Sequence, residues 1–87
     1  MNKIGYIYRI KNIINGKFYI GSSINIFRRH YEHFHSLEKN KHMNARLQNS
    51  VNKHGIENFV FEIIEENILE NKLLEHEQWW LDETKCY

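Results

Sequence analysis

Proline is absent from these 87 residues, alanine occurs once, and Cys86 is the single cysteine. One thiol excludes an internal disulfide framework and fits a reducing compartment. No apolar run is long enough for a membrane span or a signal peptide, and linkers, repeats and low-complexity tracts are missing as well. These absences leave one domain over residues 1–87, expected to be soluble and intracellular. At this length folding buries only roughly 60% of the surface of the unfolded chain, which leaves room for one site and little else. The lack of proline and alanine beside abundant Ile, Asn and Lys fits an AT-rich coding sequence and decides nothing about chemistry.

What is present is unevenly charged. Net charge is +1, yet residues 1–54 hold ten Lys and Arg against two Glu, while residues 55–87 hold two Lys against nine Asp and Glu. Five of the six histidines lie in the basic part. Charge of one sign concentrated on part of a fold is the electrostatic footprint of a polyanion partner. The same asymmetry arises when two parts of a fold pair with each other or are simply solvated faces.

Residues 4–11, rich in Ile and Tyr, and residues 17–22 read as a hairpin around Asn15-Gly16, the strongest short turn signal. If the two-residue turn sets the register, Tyr8 and Tyr19 point to one face; a one-residue slip separates them. Ser23 or Asn25 caps a first helix to about residue 39. Its core stripe is Ile26, Phe27, Tyr31, Phe34 and Leu37, with Arg29 and His33 one turn apart on the flank. A second helix over about 43–54 spaces Met43, Leu47 and Val51 four apart before the cap Gly55. A strand over 58–65 and a helix over 67–83 complete an α+β domain. Its architecture is a small three-stranded antiparallel sheet flanked by three helices, with helices on both faces.

On that last helix, at about 100° per residue, Leu69, Leu73, Leu74, Trp80 and Leu81 gather into one stripe with Glu77 in its middle. A carboxylate facing a core is neutralised, paired with a cation, or holding a metal ion. Taken singly, the neighbouring candidates have structural explanations too. Tyr8 and Tyr19 fit strand tyrosines with their hydroxyls at the rim; Arg29 fits a solvated or ion-paired residue, and His33 a cover for apolar surface. His30, His33, His35 and Cys86 match no common zinc-ligand spacing.

The order of these residues carries more than any one of them. Tyr6-Ile7-Tyr8, then Tyr19-Ile20-Gly21, then Arg29 and His33, and Glu77 before Trp80, resemble the GIY-YIG nuclease family, close to the catalytic domains of phage and intron-encoded homing endonucleases. Ile10-Lys11-Asn12, Asn15-Gly16-Lys17, Leu47-Gln48, Asn52-Lys53-His54-Gly55 and Glu77-Gln78-Trp79-Trp80 extend the likeness over nearly the whole chain. Two departures stand out. Tyr6, after Gly5, takes the glycine place of the first motif, and the asparagine that the family usually carries beyond the last helix has no counterpart before Tyr87.

The resemblance implies a divalent-metal-dependent DNA endonuclease, with Mg2+ or Mn2+ on Glu77 as sole protein ligand. In it Tyr8 is the general base, Tyr19 positions the water or a phosphate oxygen, and Arg29 holds the scissile phosphate. His33 is a further phosphate contact or a proton-transfer group, and Arg28, His42 and Lys53 are substrate-binding candidates. An ordinary tyrosine titrates near ~10, so Tyr8 needs positive charge from Arg29 or the metal. DNA is the implied partner, with no membrane, and specificity comes from a fused recognition domain or self-association. The implied origin is phage, viral or bacterial. A repair or structure-selective nuclease of the same fold and a catalytically idle DNA-binding module are the alternatives; the intact Tyr8, Tyr19, Arg29 and Glu77 set argues against the idle module.

Overall fold

A computed structural model describes residues 3–84, and its opening hairpin sets the geometry of the rest. β1 (Ile4–Asn12) is the central strand, with β2 (Phe18–Ser23) on one side and β3 (Phe59–Leu69) on the other, all antiparallel. The turn is longer than the two-residue expectation, because Asn12 closes it. The Asn12 N–H donates to the Lys17 carbonyl and its own carbonyl accepts from the Gly16 N–H, both at 2.8 Å. The Asn12 side-chain oxygen also accepts from the Ile14 N–H at 2.9 Å. Residues 13–16 therefore form the loop, with Gly16 at φ +76°. Tyr8 now faces Gly21 and Ile10 faces Tyr19, a register displaced by two residues from the expected one. An even displacement preserves strand alternation, so Tyr8 and Tyr19 still share a face.

The first helix follows its predicted cap and the second its predicted stop, while the cap that starts the second is a finding of the structure. α1 (Ile26–Glu38) starts at Asn25, whose side-chain oxygen accepts from the Arg28 N–H at 3.2 Å, while Ser23 braces Asn25 from behind. α2 (Ala45–His54) starts at Asn44, which accepts from the Leu47 N–H at 2.9 Å, and stops at Gly55, whose φ of +90° favours glycine. The buried face of α1 differs from the expected stripe: Ile26, His33 and Leu37 are inside, whereas Phe27 is 86% exposed and Tyr31 67%. On a helix of 100° per residue this is a rotation of about 70°. Packing on the sheet overrides the centre of the apolar stripe and turns His33 inward. On α2, Leu47, Gln48 and Val51 are buried, and Met43 lies exposed before the helix.

The carboxy-terminal part needs the largest correction. β3 runs on to Leu69, a short 3-10 turn spans Glu70–Lys72, and α3 is Leu73–Glu83 rather than 67–83. Ile68 is buried opposite Gly5, Leu69 pairs with Ile4, and the Glu70 N–H donates to the Lys3 carbonyl at 3.0 Å. Pairing with β1 thus overrides a helical periodicity that the same residues also satisfy. The expected stripe dissolves with it: Leu73 is buried, but Leu74 is 76% exposed, Leu69 and Leu81 face solvent, and Glu77 is half-buried.

Helices do cover both faces of the sheet. On one, Ile10 and Phe59 pack with Leu37 of α1 and Leu47 and Val51 of α2. On the other, Ile7, Ile20 and Ile68 pack with Leu73 of α3, and Trp80 lies against them. A Cβ on Gly5 would stand 2.7 Å from the Leu73 side chain, so the bare backbone there lets the start of α3 lie close on β1. No described helix is long and apolar enough to cross a membrane.

Candidate active site

A cavity of about 480 Å³ collects side chains from five segments: Tyr8 of β1, Tyr19 of β2, Arg29 and His33 of α1, His42 of the α1–α2 loop, and Glu77 of α3. All six were candidates from the sequence. Two other candidates do not line it. Arg28 is exposed in a neighbouring depression, 3.6 Å from Glu32, and Lys53 is exposed on α2. Glu32, Lys41, Ser22 and Ser36 line the cavity without having been singled out. For Glu32 a signal existed, since it follows Arg29 by three residues and so shares its helix flank.

Tyr8 is the most constrained member. It is 2% exposed, and its ring stacks on Phe61 at 4.7 Å between centroids and lies across Gly21. A Cβ on Gly21 would collide with the Tyr8 hydroxyl and ring, which is the local reason for glycine after Tyr19-Ile20. Burial pushes the Tyr8 phenol above its ordinary range; Tyr19, Glu77 and Glu32 push the same way, and Arg29 opposes them. Arg29 therefore acts in the expected direction but does not prevail over burial. The resting side chain is a protonated phenol.

Behind Tyr8 runs a chain of hydrogen bonds. Tyr8 Oη lies 2.5 Å from His33 Nε2, His33 Nδ1 lies 2.7 Å from His42 Nε2, and His42 Nδ1 accepts from the Asn44 N–H at 3.0 Å. His33, 7% exposed, is pushed down to about 4 by burial, with His42, Arg29 and His30 adding to it; burial lowers His42 as well. Both rings are neutral at pH 7. His33 is thus not the flank residue of the sequence reading but the buried centre of the α1 face, and both ring nitrogens of His33 and of His42 have partners inside the protein.

Arg29 is exposed at the mouth of the cavity, where its planar donor fork suits a phosphate. Tyr19 sets its ring edge-on to both His33 and His42, at 5.4 and 5.8 Å. A basic guanidinium, two phenols and a carboxylate converging on a cavity form a set suited to binding a phosphodiester and moving a proton beside it.

Comparison with known proteins assigns the lineage of this set. Residues 4–86 match the GIY-YIG catalytic domain. The chain belongs to the GIY-YIG family. It is 45% identical over 80 residues to Intron-associated endonuclease 1 of Enterobacteria phage T4, covering 88% of this chain and 31% of that protein. Against the Probable intron-encoded endonuclease 1 of Neurospora crassa it is 36% identical over 72 residues, covering 83% and 22%. The chain therefore spans less than a third of either relative's length. Its fold superposes on the catalytic domain of homing endonuclease I-TevI with a TM-score of 0.84 at 39% identity, covering 91% of this chain and 86% of that one. A glutamate-to-alanine mutant of the same catalytic domain gives 0.81, covering 95% and 84%. These likenesses give the chain the fold of a GIY-YIG catalytic domain.

Among the described residues of this GIY-YIG domain, no group of three or more His, Cys, Asp or Glu side chains is arranged to hold a metal, and Cys86 lies outside them. His30 stacks on Phe61 and His35 on Tyr31, so the histidines of α1 do not converge. Glu77 faces the cavity with no ion pair or hydrogen bond among the described residues. A single carboxylate without a partner among the described residues, beside a guanidinium, fits a hard ion that completes its shell with waters and substrate oxygens rather than a protein-only cage.

Proposed function

We propose that this domain hydrolyses DNA phosphodiester bonds as the catalytic part of a homing-type endonuclease, with a magnesium or manganese ion carried by Glu77. The observation that carries this reading is the convergence of Tyr8, Tyr19, Arg29 and Glu77 from four separate elements on one open cavity. Arg29 holds the scissile phosphate at the mouth and stabilises the charge that builds up on it during attack. Tyr19 orients a water or phosphate oxygen through its hydroxyl. Tyr8 first gives up its own phenol proton to solvent through the cavity; the attacking water then gives its proton to the Tyr8 phenolate oxygen as the water oxygen bonds to phosphorus, the opposite P–O bond breaks, and the leaving oxygen takes a proton from solvent. A divalent ion held by Glu77 would supply Lewis-acid charge to the phosphate and would offset the carboxylate's upward push on Tyr8. Sequence specificity belongs to regions outside this domain, in keeping with the greater length of the relatives.

The test is incubation of the domain with supercoiled plasmid and Mg2+, with and without chelator. Nicking that disappears on chelation is expected; DNA binding without nicking would make the domain an idle binding module. Arg29→Ala and Glu77→Ala should both abolish nicking. Only Arg29→Ala should weaken DNA binding and lower its salt slope by about one unit.

A further inference from the structure

Gln48 is buried on α2 and contacts no reacting group, yet every hydrogen-bonding atom of its amide is engaged. Its Oε1 accepts from the His42 N–H at 3.0 Å, and its Nε2 donates to the Leu37 carbonyl at 3.1 Å and to Asn52 Oδ1 at 3.0 Å. A flipped amide would set its nitrogen against an N–H and its oxygen against two acceptors, so the orientation is determined. One side chain thereby ties α2 to the end of α1 and to the loop that carries His42.

The loop in turn determines where the protons lie. The Asn44 N–H can only donate, so His42 Nδ1 is an acceptor and the ring proton of neutral His42 sits on Nε2. That proton points at His33 Nδ1, which leaves the proton of neutral His33 on Nε2, pointing at Tyr8 Oη. One backbone N–H therefore sets the direction of the whole chain, and the Tyr8 oxygen receives a hydrogen bond while its own O–H is turned away from His33.

We infer that Gln48 is a positioning residue of this site: by holding the His42–Asn44 loop against α1, it selects the Nε2–H tautomers of His42 and His33 and aims a hydrogen-bond donor at the Tyr8 oxygen. Donation to that oxygen favours its phenolate form and leaves the other side of the oxygen facing the reacting water. The role in turnover rests on the reading of Tyr8 as general base; the tautomer pattern does not. The other titratable groups facing Tyr8 and His33 are Tyr19 of β2, Arg29, His30 and Glu32 of α1, and Glu77 of α3.

Long-range proton–nitrogen NMR of the 15N-histidine-labelled domain at pH 7 reads the tautomers without DNA or metal. His33 and His42 should both show Nε2–H in the native protein and lose that fixed pattern in Gln48→Leu. A milder variant, Gln48→Glu, keeps the acceptor for His42 and loses the two donations; it should retain the fold and show a partial loss. Single-turnover cleavage by either variant at saturating DNA should fall about ten- to a hundredfold, the scale found for partners that orient metal-bound histidines, with DNA affinity unchanged. An Nδ1–H tautomer or a mixture in the native domain would overturn the inference. So would unchanged tautomers in folded Gln48→Leu or Gln48→Glu. Fixed Nε2–H tautomers in a native domain that nicks no DNA would uphold the positioning and remove only the nuclease reading.

Discussion

Ile7 and Tyr8 are neighbours on one strand, yet they build faces of different kinds. Ile7 closes against Ile20, Ile68 and Leu73, an aliphatic cluster with Trp80 beside it. Tyr8 points to the other face, where all three buried polar residues of the described chain lie, Asn12, His33 and Gln48. The first face holds the fold by removing apolar surface from water. The second buries polar groups that would be destabilising alone, and it does so with each of them bonded: no described buried side-chain nitrogen or oxygen lacks a partner. Strand alternation is what lets a domain this small keep a dry face and a chemical face at once.

Two glycines offer the sharpest way to break that comparison. Gly21→Ala places a methyl group in the Tyr8 hydroxyl, and single-turnover cleavage should fall on the order of a thousandfold, the scale of a positioned general base. Gly5→Ala on the dry face meets the branched end of the Leu73 side chain, both methyls and Cγ. It should destabilise by about 1–3 kcal/mol while the folded molecules keep their turnover. Thermal melts beside cleavage assays separate the two, and a Gly5→Ala protein that loses turnover at full stability would erase the division between the faces.

A somewhat smaller effect comes from acid. In the folded state burial pushes His33 down to about 4, below the ordinary 6.5 of an unfolded histidine. Between those values the unfolded chain binds a proton that the native state refuses, so this stabilisation is complete above about pH 6.5 and lost as pH falls through 4. Urea titrations at pH 7 and 4.5 should therefore show a loss on the order of 3 kcal/mol at most from this group, flattened in His33→Phe. An equal pH slope in that variant would shift the acid sensitivity to other residues.

The smallest effects are expected outside the cavity. Arg28→Ala breaks an exposed pair with Glu32, and Lys53→Ala removes an exposed charge; each should change stability by less than about 1 kcal/mol. Their single-turnover rates at saturating DNA should equal the native rate. A slower chemical step in either would place it nearer the reacting phosphate than the cavity lining does.

Local chemistry determined much of this protein from sequence alone: the cap at Asn25, the stop at Gly55, and the shared face of Tyr8 and Tyr19, which survives any even change of register. The ordered tyrosines, arginine and glutamate were legible as a family set because their identities are unusual together. Glu77 was reached through a wrong helix start; its place at the cavity wall depends on α3 beginning at Leu73 after Ile68 and Leu69 have paired with β1. Only the tertiary structure decided which side of α1 turns inward, and hence that His33 is buried while Phe27 and Tyr31 are not. It also decided the chain from Asn44 to Tyr8 and the part Gln48 plays in it, because the Tyr8–His33, His33–His42 and Leu37–Gln48 contacts join residues 9 to 25 positions apart and leave no periodic trace. Periodicity reports what one element prefers; which face is buried, and which polar atoms meet, is settled by the elements packed against it.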